Sequence, residues 1–185
     1  AGCGKTTTVR FIIGVMEKLS KICRISGVEI ALAAPTGMAA KRMKASTGKE
    51  AKTIHKLIEY NPALPALTLN EDNPLPYDFV IVDELSMVDI DTMAMLLRAV
   101  CSDTQLLLLG DVNQLPSIGP GEVLHDMINS GIFQVTALKR SFRHGARRTI
   151  LDNANRVLEG STELDFGHSD CVFYNVPDSS DDKNC

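Results

Sequence analysis

Residues 79–84 read Phe-Val-Ile-Val-Asp-Glu, a continuous apolar run of four residues that ends in two carboxylates. Two more apolar runs, Val28–Ala34 and Leu106–Leu109, also lack polar alternation, and a weaker run covers Phe133–Leu138. Continuous apolar runs are typical of strands that are buried on both faces of a parallel sheet. We therefore predict a mostly parallel sheet built from these runs, with helices covering both of its faces.

Segments with helical periodicity lie between the predicted strands. The first is an amphipathic helix after the opening residues, with apolar residues at Val9, Ile12, Ile13, Met16 and Leu19. Further helices are predicted over Gly37–Lys44, Thr53–Tyr60, Asp91–Val100, Gly121–Asn129 and Ala146–Glu159. Four prolines predict a surface loop over Asn61–Tyr77, and one more short strand is predicted at Cys171–Val176. The alternation of strands and helices predicts a doubly wound α/β domain.

Length and composition exclude several classes of protein. The chain has 185 residues, 44% hydrophobic and 23% charged, which is ordinary for one globular domain with a short appendage. This composition excludes a disordered tail, a fibrous repeat and a small disulfide-bonded scaffold. The sequence contains no apolar run of the length of a membrane span and no secretory signal pattern. Five scattered cysteines without a Cys-x-x-Cys pair predict reduced thiols in a cytoplasmic protein.

Charge is distributed unevenly along the chain, although the net charge is only −4. Residues 1–60 carry 11 Lys/Arg against 4 Asp/Glu, whereas residues 61–137 carry a single basic residue against 11 acidic ones. Residues 138–160 are basic again, with 6 against 2. Such blocks could place a basic face on an acidic body, and that face would attract a phosphate backbone. Solvated helix surfaces without any partner explain the same pattern equally well.

The first eight residues read Ala-Gly-Cys-Gly-Lys-Thr-Thr-Thr and match the second half of the phosphate-loop pattern G-x-x-x-x-G-K-[ST]. In that pattern small residues let backbone N–H groups surround a phosphate, the lysine reaches the β- and γ-phosphates, and the hydroxyl holds Mg²⁺. The first glycine of the pattern would lie two positions before Ala1, so we expect a domain truncated at its N-terminus. The alternative is an ordinary glycine-rich helix start. The nucleotide-binding candidates are Gly2, Cys3, Gly4, Lys5, Thr6 and Thr7.

Two further strands end in polar residues that suit the same chemistry. Asp83 is placed to hold Mg²⁺ and Glu84 to act as a general base on water, at the edge of an α/β sheet where ligands bind. After Leu106–Leu109, a loop rich in Gly and Pro presents Gln114, whose amide can donate and accept hydrogen bonds and so suits a γ-phosphate sensor. The order of the three elements along the chain predicts a P-loop nucleotide hydrolase.

Together these motifs resemble superfamily 1 DNA helicases, in particular the RecD-like group of exodeoxyribonuclease V alpha subunits and their stand-alone relatives. Residues 34–43 are similar to motif Ia of that family and residues 51–57 to its Thr-x-His motif Ib. Residues 82–89 resemble motif II, with Leu85 where a small residue is more usual. Residues 110–121 resemble motif III and residues 138–144 the start of motif IV, with His144 at a position that is often glutamine.

The resemblance implies a RecA-like motor domain over residues 1–145, followed at 146–185 by the start of a connection to a second motor domain. It implies ATP and Mg²⁺ as cofactors, and movement 5′ to 3′ on single-stranded DNA in recombination or repair. Other subunits of a helicase–nuclease complex are the implied protein partners. Arg143 would join Gln114 at the γ-phosphate, with Lys5 and Glu84 completing the catalytic set. The implied DNA-binding residues are Pro35, Thr36, Gly37, Lys41, Thr53 and His55.

Two alternatives remain open from the sequence. One is a different P-loop enzyme such as a nucleotide kinase or a GTPase, although the chain lacks an Asn-Lys-x-Asp guanine-binding pattern. The other is a DNA-binding domain that does not hydrolyse nucleotide. We expect little ATPase activity from the 185-residue chain alone, because the resemblance places half of the ATP cleft on a second domain.

Overall fold

A computed structural model describes residues 4–23, 27–64, 66–138, 149–166, 171, 172 and 174. Residues 4–138 belong to one compact unit and residues 149–174 to a second one. The predicted domain boundary at 145/146 lies outside the described residues, so the division of the chain at that position stays a prediction.

The first unit contains a four-stranded sheet in which all paired strands are parallel, in the order β2-β1-β3-β4. The strands are β1 (Ile30–Ala34), β2 (Ala51–Thr53), β3 (Phe79–Val82) and β4 (Gln105–Leu108). The helices are α1 (Lys5–Cys23), α2 (Gly37–Thr47), α3 (Ile54–Leu57), α4 (Ile90–Ala99) and α5 (Val123–Asn129), with a 3₁₀ turn at Leu85–Met87.

Helices cover both faces of the sheet. Alternate strand residues point to opposite faces, so the core divides into two clusters. One cluster packs Leu32, Phe79 and Ile81 against Val9 and Ile13 of α1 and Met43 of α2. The other packs Ala33, Val80 and Val82 against residues of α3, α4 and α5, among them Ile54, Leu96 and Val123. All four residues of β3 are buried, with Val80, Ile81 and Val82 fully so. This three-layer arrangement confirms the predicted α/β class with a parallel sheet.

Most predicted elements appear within a few residues of their expected positions, one does not, and one observed strand was not predicted. The run Phe133–Leu138 forms no strand and is exposed, so that prediction is wrong; none of its residues pairs with a strand in the part of the chain that the structure describes. Strand β2 was not predicted, because Ala51–Thr53 has no apolar run, and its pairing with β1 defines it. The loop 61–77 is irregular as predicted, although Leu75 is buried and its N–H donates to the Ala99 carbonyl.

The second unit contains helix α6 (Thr149–Leu158). Asn153 is buried and binds the backbone of Asp165 twice, through its amide nitrogen (2.7 Å) and its carbonyl oxygen (2.8 Å). Only part of the predicted strand Cys171–Val176 is described. Among all described helices, none has the length and hydropathy needed to span a bilayer. The described cysteines Cys23, Cys101 and Cys171 are free thiols.

Candidate functional site

The carboxyl ends of the four parallel strands meet at one edge of the sheet. Register places Val82 opposite Leu108, so the residues that follow β3 and β4 are neighbours there. On the other side, Ala34 at the end of β1 lies opposite Thr53 at the end of β2. The predicted nucleotide and DNA residues that follow these strands therefore lie along one edge, which is where open α/β sheets bind ligands.

Lys5 lies at the same edge, although it belongs to no strand. Gly4 adopts φ +86°, a backbone conformation that favours glycine, and its carbonyl accepts hydrogen bonds from the N–H (3.0 Å) and hydroxyl (3.1 Å) of Thr8. This turn starts α1 at Lys5, whose Nζ donates to the Gly110 carbonyl at 3.2 Å, two residues after β4 ends. The structure thus brings the phosphate-loop lysine to the motif III loop, while Thr6 and Thr7 are exposed in the first turn of α1.

Asp83 and Glu84 follow directly from the buried strand β3. The Asp83 N–H donates to the Ala33 carbonyl at 3.0 Å, and the Asp83 Oδ1 accepts from the Glu84 N–H at 2.9 Å. Glu84 has φ 57° and ψ 43°, a left-handed conformation that is uncommon for a residue with a side chain. Its Oε2 is buried without a hydrogen-bond partner among the described residues. Strain and an unsatisfied buried carboxylate oxygen at one residue are typical of a functional position.

Gln114 lies in the loop that joins β4 to α5. Its N–H donates to the Asp111 carbonyl (3.1 Å), and its Oε1 accepts a hydrogen bond from the Ser86 hydroxyl at 3.3 Å. Gln114 is half-buried, whereas its neighbours Asn113 and Leu115 are exposed. The motif III glutamine is therefore held against the turn that follows Asp83 and Glu84.

The segment after Glu84 and the loop after β4 are also joined at both of their ends. The Leu85 N–H donates to the Leu109 carbonyl (2.8 Å), and the Ile90 N–H donates to the Pro120 carbonyl (2.9 Å). A Cβ on Gly119 would lie only 2.3 Å from the Asp89 Oδ2, so this position requires glycine. Sequence reasoning assigned no role to Asp89 or Gly119, since only their contact across the fold reveals one.

Asp89 also begins helix α4. Its Oδ1 accepts a hydrogen bond from the Thr92 N–H at 2.8 Å, an N-cap interaction. The Thr92 side chain and then the Thr92 N–H lower the pKa of Asp89 by hydrogen bonding, against the opposing effect of burial, and the nearby charge of His55 lowers it further. The carboxylate therefore remains charged where it contacts the motif III loop.

The predicted DNA-binding turns lie side by side at the ends of β1 and β2. Thr36 and Thr53 are the N-caps of α2 and α3, and each hydroxyl oxygen accepts a backbone N–H at 3.2 Å, from Ala39 and Lys56 respectively. A hydroxyl that accepts in this way keeps its own hydrogen for an external acceptor such as a phosphate oxygen. His55 packs edge-on against the ring of Tyr60, with 5.4 Å between ring centroids.

The basic segment is partly neutralised by ion pairs. Lys44 pairs with Glu50, and Lys49 pairs with Glu17 at 2.6 Å. These pairs are exposed and so contribute little to stability, but they remove two cations from the charge seen by an external anion. The other predicted DNA-binding residues of this region surround Thr36: Pro35 precedes it and Gly37 is the first residue of α2. Lys41 is exposed one turn further along the same helix.

Three predicted site residues, Gly2, Cys3 and Arg143, lie outside the described part of the chain. Across the described residues, His, Cys, Asp and Glu do not form a group of three that could hold a metal ion. A magnesium site of this type needs fewer protein ligands, because Mg²⁺ keeps several waters and shares substrate phosphates. The carboxylate of Asp83 and the hydroxyl of Thr6 suit such an ion chemically.

Comparison with known proteins agrees with these motifs. The family described as "AAA domain" matches residues 1–120. The chain is 36% identical over 159 residues to the ATP-dependent RecD2 DNA helicase of Deinococcus radiodurans, which covers 86% of the chain and 21% of that protein. It is 35% identical over 181 residues to the RecBCD enzyme subunit RecD of Mycolicibacterium smegmatis, covering 88% of the chain and 33% of that protein. The chain thus spans about a fifth to a third of these relatives.

Solved structures share the fold. A crystal structure of Bacteroides Pif1 bound to single-stranded DNA superposes with a TM-score of 0.57 and 22% identity, over 92% of this chain and 46% of that one. Bacteroides Pif1 in complex with ADP-AlF4 gives a TM-score of 0.54 at 23% identity, over 88% and 41% of the two chains. At these identities the likeness shows the fold alone. The chain belongs to the AAA domain family, is similar in sequence to RecD-like helicases and has a RecA-like fold.

Proposed function

We propose that this chain is the first motor domain of an ATP-dependent DNA helicase or translocase that moves 5′ to 3′ on single-stranded DNA. The similarity to RecD2 and RecD over most of the chain supports this proposal, as does the gathering of three motifs at one sheet edge. We place its work in DNA recombination or repair, within a longer protein that carries a second motor domain. The proposed domain itself spans residues 1–145, and 146–185 begins the connection.

The residues at this edge fit a nucleotide with its magnesium. Lys5 would bind the β- and γ-phosphates, together with the backbone N–H groups of residues 2–7, while Thr6 and Asp83 would hold the ion. When bound, MgATP supplies the transferable phosphoryl group. Glu84 would orient a water molecule and accept its proton, and Gln114 and Arg143 would contact the γ-phosphate. Binding would draw the Lys5 ammonium away from the Gly110 carbonyl that it contacts in this structure.

DNA would bind along the adjacent turns. Pro35, Thr36 and Gly37 precede and begin α2, and Thr53 and His55 flank the start of α3, so one strand of phosphates could contact both turns. Lys41, exposed on α2, would add a positive charge beside these turns. Aromatic residues make up only 5% of the chain and Trp is absent from the sequence, so this domain offers few stacking platforms for bases.

The observation that carries the proposal is the buried, unpartnered Oε2 of Glu84 on a strained residue directly after β3. Folding leaves this atom without a partner among the described residues, which suits a group that must bind and deprotonate water. The test is Glu84→Gln in the full-length protein, with ATPase measured at saturating single-stranded DNA. We expect a loss of at least about 100-fold, the contribution of a general base, with nucleotide binding retained.

The matched control is Glu122→Gln, because Glu122 is exposed and makes no side-chain capping hydrogen bond at the start of α5. It should leave turnover unchanged. DNA-stimulated ATPase that persists in Glu84→Gln would contradict the proposed chemistry. A preference for GTP would favour a different P-loop enzyme, and nucleotide binding without turnover in the unaltered full-length protein would favour a non-catalytic DNA-binding role.

Partners and location follow from the same proposal. Single-stranded DNA is the proposed substrate track, and other subunits of a helicase–nuclease complex are the proposed protein partners, since the curated relatives include RecBCD subunits. We propose a cytoplasmic location, which the free thiols of the described cysteines support. The isolated 185-residue chain should hydrolyse ATP slowly or not at all; robust turnover by it would contradict the two-domain cleft.

A further inference from the structure

Among the described residues, only the Ser86 side chain makes a hydrogen bond to the side chain of Gln114. The Ser86 hydroxyl donates to the Gln114 Oε1 at 3.3 Å, across 28 residues of sequence. Both residues are half-buried, and both lie at the sheet edge next to Asp83 and Glu84. Ser86 lies within the segment that resembles motif II, but the proposed chemistry gives it no role.

Backbone hydrogen bonds on either side of Ser86 set its position. It sits in the 3₁₀ turn whose first residue, Leu85, is buried and donates its N–H to the Leu109 carbonyl at 2.8 Å. Two backbone hydrogen bonds close the turn: the Met87 N–H donates to the Glu84 carbonyl and the Val88 N–H to the Leu85 carbonyl, each at 3.0 Å. The residue that carries this hydroxyl therefore lies in the turn that directly follows Asp83 and Glu84.

The direction of the hydrogen bond selects one end of the glutamine amide. A primary amide has an accepting oxygen and a donating NH₂ group, and its terminal torsion is broad and roughly two-fold. When Oε1 is engaged by a hydroxyl, the NH₂ group is the end that remains for a ligand. A γ-phosphate oxygen only accepts hydrogen bonds, so the NH₂ group is the end that a phosphate sensor must present.

We propose that Ser86 is a positioning residue that holds the Gln114 amide with its NH₂ group toward the γ-phosphate. Without the hydroxyl, the amide turns over and presents its oxygen to a phosphate for part of the time. The effect is specific to ligands with a γ-phosphate, because ADP offers the amide nothing to bind. This inference rests on the proposed function, specifically on the role of Gln114.

The test is steady-state ATPase of the full-length protein with saturating single-stranded DNA, comparing Ser86→Ala, Ser86→Thr and Gln114→Ala. Ser86→Ala should lower kcat roughly 3- to 10-fold, the effect of one hydrogen bond, and leave ADP affinity unchanged. Ser86→Thr keeps the hydroxyl and should retain most of the activity. In the Gln114→Ala background, Ser86→Ala should cause no further loss, because the group that it orients is gone.

Ser117→Ala is the matched control, since Ser117 lies in the same loop but donates to the Gly119 (2.9 Å) and Gly121 (3.2 Å) carbonyls. An equal kcat loss in Ser117→Ala would attribute the effect to loop stiffness and overturn the inference. So would a wild-type kcat in Ser86→Ala, or additive losses in the double variant. Thermal unfolding of each variant separates these results from misfolding, and Ser86→Thr supplies a second reading if Ser86→Ala unfolds.

Failure of the proposed function would appear in the Gln114→Ala and Glu84→Gln variants rather than in Ser86→Ala. If Gln114→Ala and Glu84→Gln both hydrolyse ATP normally, the site is wrong and the role of Ser86 falls with it. If those two variants lose activity while Ser86→Ala does not, only the positioning role is wrong.

Discussion

Substituting Gly119 by alanine should destabilise the fold strongly, because the added methyl group has no space. A Cβ at this position would lie 2.3 Å from the Asp89 Oδ2, 2.7 Å from its Cβ and 2.8 Å from its Cγ. The Asp89 Cβ is attached to the backbone and cannot rotate away, so the loop and the start of α4 must separate. Two hydrogen bonds lie at that contact, from Thr92 N–H to Asp89 and from Ile90 N–H to Pro120.

The expected cost can be added from these parts. Loss of an N-cap costs about 1 kcal/mol, a backbone hydrogen bond about 1 kcal/mol, and overpacking about 1–3 kcal/mol. We expect the free energy of unfolding to fall by about 3–5 kcal/mol, which at an m-value of about 2 kcal/mol per M lowers the urea midpoint by about 1.5–2.5 M. Urea unfolding followed by far-UV circular dichroism measures this shift.

Two further variants make the test of Gly119 decisive. Gly14→Ala is the control: Gly14 is inside α1 with open space around it, so alanine there should stabilise the protein by about 0.5–1 kcal/mol. Asp89→Gly removes the clashing Cβ while glycine caps a helix almost as well as aspartate, so it should recover part of the loss in Gly119→Ala. A loss below about 1 kcal/mol in Gly119→Ala, or no recovery in the double variant, would refute the close contact.

Three other outcomes are expected. Asp89→Ala should lower the free energy of unfolding by about 1 kcal/mol at neutral pH, and Asp89→Asn should lower it much less. Because folding lowers the pKa of Asp89, its charge stabilises the protein above about pH 3.9, and this contribution is lost as the pH falls through the folded pKa. The difference in stability between wild type and Asp89→Asn should therefore shrink in urea titrations below about pH 4. Binding of a single-stranded oligonucleotide, measured by fluorescence anisotropy, should weaken steeply with salt, and an affinity independent of salt would argue against phosphate contacts. Lys41→Ala, at an exposed position in α2, should reduce the slope of log affinity against log salt by about 1, whereas Lys49→Ala, whose cation is paired with Glu17, should change it less.

Local chemistry made much of the fold predictable. The run Phe79–Val82 was predicted with its observed bounds, because a strand covered on both faces needs apolar side chains at every position. Helix α2 begins at the predicted Gly37 but runs to Thr47, beyond the predicted end at Lys44, and stops before the left-handed Gly48. The order of the motifs along the chain also predicts that Lys5, Asp83 and Gln114 serve one site, and this stays a prediction.

Contacts between distant segments decided the rest. Ala51–Thr53 becomes a strand because β1 offers it an edge, while the more apolar Phe133–Leu138 remains irregular. The hydrogen bond between Ser86 and Gln114 joins residues 28 apart. Composition and periodicity describe a residue's own neighbourhood, whereas these pairings depend on which segments the packed sheet brings together. The sequence alone determined which polar residues follow the apolar runs; the tertiary structure determined which of these residues are neighbours at the sheet edge, because such contacts form only when both strands are in place.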